Sequence, residues 1–76
     1  MKAETQAIIL FNNGIKKLIE LDINPSKENV KTFILMEIKS IKEALYNIYL
    51  IDGTPISHYK KTFNFYQKVE TKINNL

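Results

Sequence analysis

Two proline-bearing breaks, Asn24-Pro25-Ser26 and Asp52-Gly53-Thr54-Pro55, divide the sequence into three segments. In each segment the apolar residues recur at steps of three and four, the spacing that gathers them on one side of an α-helix. The first break offers a cap before the acid-bearing Lys27-Glu28-Asn29, a helix-start pattern. In the second, Gly53 suits the end of one helix, Thr54 the cap of the next and Pro55 its first turn.

The first segment places Ile8, Phe11, Ile15 and Leu18 on one face, with Ala7 and Ile19 beside them. Asn12-Asn13-Gly14 is turn-like, and a break at Asn13-Gly14 is the alternative to one continuous helix. The apolar phase survives the tripeptide, which favours continuity. Gly14 then costs about 1 kcal/mol against alanine but permits close helix approach. The second segment, the longest, carries Val30, Ile34, Ile38, Ile41, Leu45 and Ile48, flanked by Phe33, Ala44 and Ile51. The third repeats the pattern with Ile56, Tyr59, Phe63, Tyr66, Val69 and Ile73. No useful window alternates at period two, so strands have no support. The reading is all-α, with one domain over 1–76 and helices at roughly 3–22, 26–51 and 55–74. Short connections between them predict a small antiparallel three-helix bundle.

A chain of 76 residues buries a modest core. Many chains of this size add disulfides, metals or a partner subunit. Without cysteine there are neither disulfides nor thiolate metal sites, and the lone His58 cannot build an imidazole cage. Helix packing, with or without self-association into a homodimer, remains. No metal or cofactor is expected. The start of the sequence carries an early acid and an apolar run too short for a signal sequence, and no stretch is long enough for a membrane span. These features predict a cytoplasmic protein.

All 11 basic residues are lysine. Lysine, isoleucine and asparagine share A/T-rich codons, which points to an A/T-rich genome such as that of a low-GC bacterium or its phage. Physically, recognition proceeds here without arginine, the usual bidentate reader of guanine and phosphate and a frequent interface hot spot.

Residues that do not fit the core stripes are the candidates for function. On the second helix Leu35, Tyr46 and Leu50 point off the main stripe. Leu35, Lys39, Lys42, Tyr46 and Tyr49 follow one edge at spacings of four, three, four and three. Apolar bodies between lysine stems suit a partner-binding strip of Leu35, Lys39, Lys42, Tyr46, Tyr49 and Leu50. The competing reading is a central helix with a wide apolar face touching two neighbours. Glu37 falls inside the apolar arc, where a carboxylate must be paired, hydrogen-bonded or within reach of water; a place near a bundle end, reaching water, is the simpler expectation.

The third segment holds the charge excess, with four lysines against Glu70 alone, and the remaining segments balance. His58, Lys61, Phe65, Lys68 and Lys72 form a stripe with an aromatic inside it. Lys61, Lys68 and Lys72 could meet phosphates while Phe65 stacks on a base, which makes a nucleic-acid-binding module the alternative function. An acidic protein surface fits those lysines equally well. A solvated face with Phe65 at the core edge is the plainer reading. A helix-turn-helix around the second break is disfavoured by the great length of the preceding helix. Membrane-surface binding would take the apolar face that completes the bundle.

Catalytic constellations are absent. The two glycines are far apart, so no phosphate loop forms, and no serine-and-acid arrangement surrounds His58. The expectation is a small non-catalytic regulatory, adaptor or inhibitor protein that binds another protein through helix faces.

Overall fold

The computed structural model describes residues 2–76; Met1, the first residue of the start read above as non-exported, lies outside them. Three helices follow in order, α1 over Ala3–Glu20, α2 over Lys27–Asp52 and α3 over Ile56–Asn74. Each packs on both of the others, so they form a small three-helix bundle.

The helix ends follow from local chemistry. α1 stops at Glu20, two residues short of expectation, because Asp22 turns left-handed at φ 60°. The Asp22 N–H donates to the Ile19 carbonyl at 3.0 Å and the Ile23 N–H to that of Leu18 at 2.9 Å. These are the two bonds of a Schellman ending, formed with an acidic residue in the place glycine usually takes. Ser26 caps α2 by accepting from the Asn29 N–H at 3.1 Å, and the Asn29 amide donates to the Asn24 carbonyl at 2.9 Å. Gly53 ends α2 at φ 67°, a conformation that costs most residues Cβ strain. Thr54 does not cap α3, contrary to the sequence reading. Pro55 holds that position in extended backbone and Tyr59 N–H bonds its carbonyl, so no side-chain oxygen is used.

α1 is continuous through Asn12-Asn13-Gly14. Gly14 is buried, and a Cβ there would sit 3.1 Å from Ile34 Cγ1 and 3.2 Å from Val30 Cγ1. The glycine is thus a point of close approach between α1 and α2, and its helix-propensity loss is exchanged for contact. The buried side of α1 differs from the expected one. Ala7, Gly14 and Leu18 are buried, with Ala3, Leu10, Phe11 and Ile15 packed beside them. Ile8 and Ile19, placed on the core face by spacing alone, are exposed. Small residues at 7 and 14 let the helix backbone sink toward its neighbours, which turns the larger isoleucines to the flanks.

α2 and α3 run antiparallel. Lys31 Nζ near the start of α2 donates to the Asn74 carbonyl at 2.9 Å, while Tyr49 near its end stacks on Tyr59 at the start of α3. The fully buried core draws from α2 only on Val30, Ile34 and Ile38, and from α3 only on Val69 and Ile73. Nothing between 39 and 64 belongs to it. Ile48, Ile51 and Ile56, expected in the core stripes, are exposed, because α1 closes the bundle over one end of the α2–α3 pair and leaves the other end two helices thick. Glu37 is exposed and reaches water, though from well inside α2 and not from a bundle end as expected.

Candidate interaction surface

An α-helix returns to the same side after 18 residues, five turns of 3.6. Val30 and Ile48 are such a pair, and so are Phe33 and Ile51. Val30 is fully buried against α1 near Gly14, whereas Ile48 is 48% exposed. Phe33 packs against the core, whereas Ile51 is 82% exposed. Side-chain type does not separate these partners; the presence of α1 does. One apolar line on α2 therefore begins under α1 and continues past it through Ile41 and Ala44 to Ile48 and Ile51. Tyr46 and Leu50 on the flanks of α2 and Ile56 at the start of α3 are also exposed. The far half of the hairpin presents apolar residues on several sides, the kind of concentration that marks a contact surface.

The strip read from sequence as partner-binding divides into two groups. Leu35 packs against the core. Lys42 is turned into the α2–α3 seam, where Nζ donates to Glu70 Oε2 at 2.6 Å and Gln67 Oε1 at 2.5 Å and lies 5.3 Å from the Phe63 ring centre. Tyr49 stacks on Tyr59 with centroids 4.8 Å apart, and Tyr59 meets Phe63 at 5.8 Å. These three strip residues are thus occupied within the chain, as the wide-face reading expected of a central helix. Lys39, Tyr46 and Leu50 remain at the surface, with the Tyr46 ring tilted against Tyr59 at a centroid distance of 6.3 Å.

The basic stripe of α3 divides as well. Phe65 is partly buried, packs against the core and meets Tyr66 edge-on at 5.4 Å. It is a core-edge residue and is poorly placed to stack on a base. Lys72 Nζ contacts Glu4 Oε1 of α1 at 3.2 Å. Lys61 and Lys68 are exposed and, among the described residues, have no ion-pair partner. Lys61, Lys68 and Lys72 succeed one another at spacings of seven and four, so they share one edge of α3. That edge borders α1 at Lys72 and the uncovered half of the hairpin at Lys61.

An indentation of about 350 Å³ lies at the opposite end, lined by Ile8, Phe11, Asn12, Pro25, Lys27 and Leu76. No buried polar side chain is left without a hydrogen-bond partner, and no cluster of metal-ligating side chains occurs among the described residues. Among the described residues no helix is long and apolar enough to cross a membrane. Compared with protein-family models, curated proteins and solved structures, the chain matches none.

Ile48, Ile51 and Ala44 were misread in sequence as core. Two relations between the helices leave them open: α1 has 18 residues against 26 in α2, and its first turn already lies near the end of α3, where Glu4 meets Lys72.

Proposed function

We propose that this chain is a non-catalytic regulatory or inhibitory protein of the cytoplasm that works by docking another protein on the uncovered half of its α2–α3 hairpin. The observation that carries the reading is the five-turn comparison on α2. The same apolar line is buried at Val30 where α1 covers it and open at Ile48 and Ile51 where nothing does. Leaving large apolar side chains in water adds nothing to the stability of the free chain, and a partner that covers them recovers their burial energy. Small size and a lysine-, isoleucine- and asparagine-rich composition suit a protein carried by a phage or mobile element of a low-GC host.

The test is a double substitution, Ile48→Asp with Ile51→Asp. The variant is expected to keep the helix content and melting temperature of the parent within a few degrees while losing association, whether with a partner or with itself. A variant that associates as the parent does would refute the reading. A nucleic-acid module draws support from exposed Lys61 and Lys68, but with Phe65 in the core edge and Lys72 at Glu4 it keeps only half of its expected contacts. Salt-dependent binding of labelled DNA or RNA, lost on charge reversal at Lys61 and Lys68, would put that reading first.

A further inference from the structure

Resting on the interface reading above, the geometry points to a particular occupant: an acidic amphipathic helix of a partner protein, lying on the uncovered half of the hairpin where a longer α1 would have lain. The length fits, since Ile41 to Ile51 spans roughly 15 Å, about three turns of helix. The shape of the site fits a helix because its covered half already holds one. The line Val30–Phe33–Ile34 takes the apolar face of α1, and the continuation Ile41–Ala44–Ile48–Ile51 offers a second apolar face the same kind of seat.

Charge selects among helices. The edge of α3 that borders this seat carries Lys61, Lys68 and Lys72, and α1 shows how the edge is used, by setting Glu4 against Lys72 at 3.2 Å. Lys61 and Lys68 stand along the same edge without partners among the described residues. A helix seated beside them is favoured when its α3-facing flank bears glutamate or aspartate, and disfavoured when that flank bears lysine. The same charges argue against a second copy as occupant. A twofold pairing that brings α3 edges together would set Lys61 and Lys68 against their own counterparts.

The test uses two synthetic helical peptides with the same leucine stripe, one flanked by glutamate and one by lysine. Binding to the full chain is read by fluorescence anisotropy at low and high salt. The binding site is located by amide shift changes in two-dimensional NMR, and the state of the chain alone by light scattering. The glutamate peptide is expected to bind about tenfold tighter than the lysine peptide at low salt, from two rim ion pairs, with the preference shrinking in high salt. Shift changes are expected at Ile41, Ala44, Ile48 and Lys61. Lys61→Glu with Lys68→Glu should reverse the preference while leaving the fold intact, since both side chains are exposed.

Equal binding of the two peptides, or shifts centred elsewhere, overturns the acidic-helix inference. A chain that is dimeric alone and becomes monomeric on Ile48→Asp also overturns it, but keeps the hairpin as an interface. Failure of both peptides together with a monomeric chain that Ile48→Asp leaves unchanged removes the occupant and the docking reading alike.

Discussion

Replacing Ile34 and Ile48 by alanine in separate variants compares one chemical change at two ends of one helix. Both are isoleucines of α2, 14 residues apart, but Ile34 is wholly buried under α1 and Ile48 is 48% exposed. At Ile34 the loss combines transfer of the removed carbons with the cavity they leave, about 3 kcal/mol for a site that cannot collapse. Val30, Ile38 and Gly14 surround it closely, so little relaxation is available. A chain of 76 residues has roughly 4–11 kcal/mol of stability in all, and about 3 kcal/mol lowers its melting temperature by roughly 12–24 °C. At Ile48 only part of the side chain is out of water, and alanine returns a few tenths of a kcal/mol of helix propensity. The net change there is under about 1 kcal/mol, or a few degrees. Thermal and urea unfolding followed by circular dichroism, each at low and high protein concentration, decide the matter. If Ile48→Ala costs as much as Ile34→Ala at low concentration, α1 or another part of the chain covers the far end in solution and the half-covered bundle is wrong. An equal cost only at high concentration would mean that a second copy provides the cover.

Gly14→Ala should destabilise by about 1 kcal/mol in urea unfolding: the added Cβ meets Ile34 and Val30 at 3.1–3.2 Å, both stiff at χ1 and fully buried, and their displacement outweighs the propensity gain. Ser26→Ala should lose about 1 kcal/mol through the missing bond to the Asn29 N–H. Gly53→Ala should lose a similar amount purely from the left-handed φ of 67°, because nothing lies within 4 Å of the new methyl group. Lys42→Met keeps the stem in the seam and should cost less than about 1 kcal/mol, since Glu70 is 35% exposed and rehydrates; Lys42→Ala should cost more by losing the packing on Phe63. Calorimetric melting of the five variants checks all of these.

The helices were legible in the sequence because each level of local chemistry agreed. Period-3.6 apolar spacing, a serine cap at 26 and a glycine stop at 53 all indicated the same elements, and boundaries fell within one residue of expectation except at the end of α1, where the left-handed turn of Asp22 stops the helix two residues early. The rotation of α1 was not legible. Spacing ranks Ile8 and Leu18 together, and only the approach of two neighbouring helices shows that Ala7 and Gly14 define the inner side, since small residues are favoured where backbones come close. Thr54 was misassigned because a threonine before proline reads as a cap, while the backbone enters α3 one residue later.

The candidate surface was half legible for a related reason. Periodicity tells which side of a helix can be buried, and it is silent on whether anything is there to bury it. Ile48 and Ile51 carry the same pattern as Val30 and Phe33, so no property of α2 alone could separate them. What separates them is the length and placement of α1, a relation between segments. The lysines of α3 show the same logic. Lys61, Lys68 and Lys72 look equivalent as a stripe, yet only Lys72 lies where α1 can answer it with Glu4. The apolar line and the lysine edge, read separately, gave two competing functions. Placed together beside the end of a short α1, they become the floor and the wall of one seat, and an acidic amphipathic helix satisfies both, whereas a nucleic acid leaves Ile48 and Ile51 uncovered.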